Sequence, residues 1–329
     1  MDSANKNNLS KNMSVIKFFA IIAIIFGHYW NVHLVPIPLM SHWWVISAVG
    51  LLIFSISSGF FTSTRYKDSY EFKSFWIKKL YRIGIPFTIV NILLLILFLI
   101  EKKDNILSIQ TVASWLGIHG IWTWLKIPQV GPYGAGLWFM TVLLIFYFIY
   151  PLLEYLNRKK TISFVFSGLT VLLLLIFDHY FPLGYTLWLT ITGFPVGIWM
   201  ANNEISYSRL FIVSVLILTL IMMIILKFFF HVKLFSSLFM LIISYTAVEI
   251  CKFMVLPSII YRIFLPLSTW VITMYIVHMY LFVSPTGYFS IDWLMTLSLI
   301  FCVSFFVDQL SKKIEEKFKD HMMAATNPV

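Results

Sequence analysis

The sequence predicts an all-α, polytopic integral membrane protein of about ten transmembrane helices with both termini in the cytosol. Three observations carry this expectation. The 329 residues are 60% hydrophobic and only 12% charged, where a soluble domain has roughly 45–50% and about 25%. The apolar residues gather into successive runs approaching the roughly 20 needed to span a bilayer as a helix. The cations collect in alternate connections between those runs.

Charged residues and Pro/Gly punctuation divide the chain into spans at Val15–Asn31, Trp43–Phe61, Ile85–Ile100, Leu137–Leu156 and Ile162–Phe177. Five more follow at Leu183–Met200, Leu210–Leu226, Leu234–Ile250, Leu267–Val283 and Trp293–Leu310. With the amino terminus inside, the inner segments hold 19 of the 24 Lys and Arg residues; Lys102, Lys103, Lys126, Lys227 and Lys233 fall outside. That bias fixes the orientation. The segment 1–14 is a cytosolic leader, and the first run is retained because Gly27-His28-Tyr29-Trp30 offers no small-residue cleavage site.

The connection Glu101–Gly136 carries Trp115, Trp122, Trp124, Pro128 and Pro132 and is expected to form an interfacial cap, one wall of an outward-facing site. Pro257, Arg262 and Pro266 mark Val255–Pro266 as a short interfacial piece before the ninth span. Residues 311–329 read as a charged amphipathic cytosolic tail. Residues 1–329 form a single membrane domain, without an internal repeat of the kind that favours a transporter.

The net charge of +10 belongs to short loops, so it argues for orientation and against a nucleic-acid partner. Cys251 and Cys302 lie in or beside apolar runs and give neither a disulfide framework nor zinc spacing; no metal is expected.

Ionisable groups within spans are expensive, so each is a functional candidate. Lys17 and His28 stand eleven residues apart, three turns plus about 20°, which puts both on one helix face about 16 Å apart. Spacing alone leaves open a snorkelling lysine and a packed histidine. His278 is expected at comparable depth in the ninth span, where a neutral imidazole can serve as a general base. Lys78, Lys79 and Arg82 form a basic cluster, with Lys79 and Arg82 one turn apart; it suits phosphate, or is ordinary positive-inside charge. The hydroxylated run Phe54–Phe61 reads as a close helix contact rather than a nucleophile site. His33, His42, His119, His179 and His231 read as solvated or interfacial, and Asp178 beside His179 is a weak acid/base pair.

Taken in order, these elements resemble the membrane-bound acyltransferase-3 family. Lys17-(ten residues)-His28 resembles its Arg/Lys-x10-His signature, and Ser58-Gly59-Phe60 its Ser-Gly-Phe element. Lys79-Leu80-Tyr81-Arg82-Ile83 with Pro86 is similar to Arg-x-x-Arg-Ile-x-Pro, with Lys at the first position. Leu137-Trp138-Phe139 resembles its Leu-Trp-Phe segment and Tyr275-Ile276-Val277-His278 its Tyr-x-x-His segment. The ordered matches run from position 17 to 278.

The resemblance implies a ten-helix enzyme that takes acetyl-CoA, or a related acyl-CoA, from the cytosol and acylates a hydroxyl of a surface or exported polysaccharide or its lipid-linked precursor. It implies His28 as catalytic histidine with Lys17 as its paired cation and Lys79 with Arg82 as an inner-face basic pair; the mechanism expected from these residues sets the donor's phosphates against Lys79, Arg82 and Lys78, with His278 assisting. Trp138, Tyr275 and Ser58 would contact substrate. Some members of the family carry an extra esterase-like domain that finishes the transfer outside; none is expected from these 329 residues, so the transfer is expected to be completed within the membrane domain or with a separate partner. The location would be a bacterial cytoplasmic membrane, with lipid around it. The rival is an exporter of a glycan or lipid-linked sugar, in which the same polar groups bind cargo during crossing.

Overall fold

A computed structural model describes residues 3–33, 43–181, 183, 186–203, 205, 207–228 and 236–326. Every described regular element is helical: α1 (Ser3–His33), α2 (Trp43–Tyr66), α3 (Phe72–Lys79), α4 (Ile85–Ile100), α5 (Ile109–Trp115), α6 (Gly120–Trp124) and α7 (Trp138–Arg158). They continue as α8 (Lys160–Tyr180), α9 (Leu187–Asn202), α10 (Arg209–Phe228), α11 (Ser236–Ile250), α12 (Ser258–Ser268), α13 (Val271–Val277) and α14 (Phe289–Thr326). A π-helical turn, Leu80–Gly84, joins α3 to α4, and a 3-10 turn, His278–Tyr280, follows α13.

Seven of the described helices are long and apolar enough to cross a membrane, and the chain is a multi-pass membrane protein. Helix occurs at all ten expected places, but three fall short of a full span. The 16 residues of α9 and 15 of α11 rise only about 24 and 22 Å against a hydrocarbon core near 30 Å. The ninth span is a broken pair, α12 and α13, with Pro266 two residues before the end of α12. His278 therefore begins a 3-10 turn at the end of a seven-residue helix and is not the mid-helix residue the sequence suggests. The tenth span and the tail are one continuous helix, α14.

Two compact units divide the chain. Unit 1 takes Met1–Trp30, Pro36–Tyr70 and Val142–Ser268; unit 2 takes Asn31–Val35, Glu71–Thr141 and Thr269–Val329. Unit 1 is organised by the contact of α2 with α9. A Cβ added at Gly59 would collide with the carbonyl oxygen of Phe194, one at Gly197 with that of Ile56, and one at Gly193 would stand 2.7 Å from the Ser55 Cβ. Ser55-x-x-x-Gly59 thus faces Gly193-x-x-x-Gly197, the small-residue arrangement that lets membrane helices approach where burial against lipid supplies no driving force. The Ser55 hydroxyl donates across this contact to the Thr190 carbonyl at 2.6 Å. Phe146 stacks on Phe194 at 4.4 Å, and Leu52, Ile56, Leu189 and Met240 belong to a buried apolar cluster. Near the start of α1, the Asn12 amide donates to the carbonyls of Cys251 and Met254 at 2.9 and 2.7 Å, capping the end of α11.

Unit 2 packs α4, α13 and α14 together. Between them lies an apolar cavity of about 410 Å³ lined by Leu94, Leu97, Val277, Tyr280, Val303 and Phe306, among others.

The glycine contact gives a direct stability test. Gly197→Leu should abolish the folded, monodisperse protein or lower its unfolding temperature sharply in detergent, whereas Gly168→Ala, with nothing within 4 Å of its Cβ, should leave it unchanged or slightly more stable. Equal behaviour of the two variants would show that the α2–α9 approach does not hold unit 1 together.

Candidate functional site

Unit 1 contains Lys17, His28 and Ser58. Because α1 is unbroken from Ser3 to His33, the eleven-residue spacing keeps Lys17 and His28 on one face, about 16 Å apart along the axis. Both side chains are half-buried. The Lys17 ammonium lies 5.6 Å from the centre of the Phe61 ring, a cation–π distance that holds a charge where water is scarce. Next to His28, Gly27 leaves room for α2: a Cβ there would stand 2.5 Å from the Trp43 ring and 2.6 Å from the Ser47 hydroxyl. Trp43 uses this approach to donate its indole N–H to the Ala23 carbonyl at 3.1 Å. Ser55 and Ser57 give their hydroxyl protons to the carbonyls of Thr190 and Phe54, and Ser58 beside them is half-buried. The run thus serves helix contact, as its composition indicates.

Unit 2 contains the remaining expected residues. The basic cluster is rearranged by the π-turn. Lys78 and Arg82 are exposed, while Lys79 is half-buried with its ammonium 5.0 Å from the centre of the Phe75 ring. The expected pairing of Lys79 with Arg82 across one α-turn is altered, because the i→i+5 bonds of Leu80–Gly84 widen the turn between them.

Trp138, Tyr275 and His278 are brought together by a latch between the Glu101–Gly136 connection and α13. The Tyr275 hydroxyl donates to the Gly136 carbonyl and accepts from the Phe139 N–H at 3.2 Å, and the Phe139 ring packs on Tyr275 beside Trp138. Tyr280 accepts from the Gly134 N–H at 2.8 Å. His278 is fully buried; its Nδ1 lies 2.6 Å from the Tyr275 carbonyl, which can only accept, so Nδ1 carries the proton. Gly136, at φ 70°, brings its backbone against the imidazole: a Cβ there would come within 3.6 Å of His278 Nε2.

The connection itself is more ordered than an interfacial cap requires. Ser108 and Thr111 form a capping box at the start of α5, and Gln110 bridges to the Pro128 carbonyl at 2.8 Å and the Val130 N–H at 2.7 Å. His119, expected to be solvated, is buried. Its ring lies against Gly134, which at φ 93° has no room for a Cβ. The Ser114 hydroxyl donates to the Gln110 carbonyl at 2.8 Å, so its oxygen accepts from His119 Nδ1 at 2.9 Å. The sequence signal for this buried histidine was the glycine set Gly117, Gly134 and Gly136, all at positive φ. His179 is exposed, and Asp178 accepts from the Ser237 hydroxyl instead of pairing with it. His42 and His231 lie outside the described residues, as does the His33 side chain. Among the described residues no group of three or more His, Cys, Asp or Glu side chains could hold a metal.

A family described as an acyltransferase domain matches residues 10–307. Nodulation protein 10 of Rhizobium leguminosarum bv. viciae is 30% identical over 166 residues, which cover 45% of this chain and 45% of that protein. The chain thus matches less than half the length of this curated relative. No solved structure matches the chain.

Burial holds the His119 imidazole below its ordinary pKa of 6.5, so the unfolded loop binds a proton that the folded loop refuses. The stabilisation is therefore complete above pH 6.5 and is lost as the pH falls below it. Amide exchange in residues 109–124, corrected for its intrinsic rate, should speed up between about pH 7.5 and pH 5.5, and His119→Asn should remove that dependence. Protection that does not vary with pH in the parent protein would contradict the burial argument.

Proposed function

The chain belongs to the acyltransferase family that matches its residues 10–307, and we propose that it transfers an acyl group, most simply acetyl from acetyl-CoA, to a hydroxyl of a surface or exported polysaccharide or of its lipid-linked precursor. The supporting observation is the single unbroken helix that carries a cation at position 17 and an imidazole at position 28 on one face. In this reading the enzyme sits in a bacterial cytoplasmic membrane with the Lys/Arg-rich connections and both termini in the cytosol.

His28 takes the proton of the sugar hydroxyl as its oxygen attacks the thioester carbonyl. The carbon–sulfur bond then breaks, the acyl group stays on the sugar oxygen, and the proton held by His28 passes to the departing CoA thiolate. Lys17 stabilises negative charge on the same helix face. Lys78, Lys79 and Arg82 hold the donor's phosphates, Arg82 with a guanidinium fork and the lysines as point charges. In unit 2, Trp138 and Tyr275 contact substrate and His278 assists; Ser58 does so in unit 1.

Replacing His28 by Ala should lower O-acetyl groups per glycan repeat by at least about a hundredfold while membrane levels of the protein stay normal. The measurement is acetate release from purified polymer, normalised to sugar. Unchanged acetylation in the variant would sink the assignment of His28.

A further inference from the structure

The helical run of unit 2 from Phe72 to Ile100 carries a buried stripe whose spacing an α-helix alone cannot maintain. Phe75, Lys79, Ile83, Phe87 and Asn91 follow each other at intervals of four, and Leu94 and Phe98 continue the stripe; all are buried except half-buried Lys79. Each interval of four rotates an α-helix about 40° past a full turn, so four of them would carry Asn91 about 160° away from Phe75. The π-turn at Leu80–Gly84 absorbs one residue and winds most of this drift back. Lys79 and Asn91, twelve residues apart, then behave as though eleven apart: three turns plus about 20°, with a separation of about 16 Å.

This stripe therefore has two polar members, a cation near its start and a carboxamide in the middle of an apolar helix, with Ile83 and Phe87 between them. Asn91 is 1% exposed, and neither its Nδ2 nor its Oδ1 meets a hydrogen-bond partner among the described residues. Leaving both ends of an amide unsatisfied costs several kcal/mol in an apolar interior, so the group needs a partner in the working state. Its neighbours Val90 and Leu94 line the 410 Å³ cavity, which gives space beside this level of the helix.

A ligand that fits has an anionic end, an apolar linker and an internal group that both donates and accepts a hydrogen bond. Acyl-CoA has this order: phosphates, a dimethyl-substituted carbon and then two amides in series before the thioester. We propose that Asn91 is the positioning residue that pairs with a pantetheine amide of the acyl donor, about three helical turns above the phosphate contact of Lys79. This rests on the acyl-CoA reading given above and adds a residue that sets how far the arm advances.

The test uses the full chain in detergent or nanodiscs, with acetyl-CoA and an analogue in which one pantetheine amide is replaced by a two-carbon ethylene unit of equal chain length. The analogue is made for each amide in turn. Asn91→Leu should raise the KM for acetyl-CoA about tenfold with kcat little changed. The parent enzyme should discriminate against one analogue by a similar factor, and the variant should use it and acetyl-CoA alike. Thermal stability without ligand should be equal or higher in the variant, since an unsatisfied amide has been removed. Should Asn91→Leu fail to fold, Asn91→Ser serves the same comparison. An active parent enzyme whose KM and analogue discrimination survive the substitution overturns the role of Asn91 alone. A parent protein that neither binds nor uses acyl-CoA overturns the donor assignment and this inference with it.

Discussion

Hydrocarbon offers no water to a polar group, and the structure is shaped by that constraint wherever a helix crosses the apolar region. Several hydroxyls inside the spans are returned to the backbone of their own helix: Thr64 to Phe60, Thr192 to Trp188, Thr219 to Val215, Ser244 to Met240. Helices approach one another through glycine rather than through large side chains, as Gly59, Gly193 and Gly197 show in unit 1. Against this background the polar groups that are not disposed of locally stand out. Asn91 is such a group, and the functional reading is built on it together with the ionisable groups Lys17, His28 and His278.

The two units meet the constraint in different ways. Unit 1 relies on a close contact of α2 and α9 and on one long helix that holds two functional candidates in fixed register. Unit 2 breaks its helices where chemistry is expected: a π-turn beside the basic cluster, and a short helix ending in a 3-10 turn at His278. At the second break, tyrosine side chains of the broken span reach backbone groups of the 101–136 connection and of the first turn of α7. The hydroxyls of Tyr275 and Tyr280 bond to the backbone of Gly136, Phe139 and Gly134, so the contacts that order the connection also hold the turn that carries the buried imidazole. An interruption in helix geometry and the ordering of a long loop are thus one arrangement.

Much of this was legible in the sequence. Apolar runs located helix at all ten places, since twenty residues of Leu, Ile and Phe have few other uses. The register of Lys17 and His28 followed from helical periodicity and survived because no proline or glycine break falls between them until Gly27. What was hidden depends on tertiary geometry. Nothing local in Leu80–Gly84 announces a π-turn; its trace is the repeated interval of four from Phe75 to Asn91, which becomes meaningful only once the stripe is known to be buried. His119 looked solvated because loops usually are, yet three glycines at positive φ fold the connection over it. The break before α13 left a trace in Pro266, but apolarity continues through it, so a hydropathy reading sees one span.

The central claim is that the enzyme takes its acyl group from the side bearing the basic connections and delivers it to a hydroxyl that has no access to that side. Proteoliposomes of known orientation, loaded with glycan acceptor and given acetyl-CoA carrying an isotopic label in its acetyl group, separate donor and acceptor by the bilayer. The account predicts labelled O-acetyl on the enclosed glycan only when the Lys/Arg-rich face is turned toward the donor. Label that appears only when donor and acceptor share one compartment would contradict it.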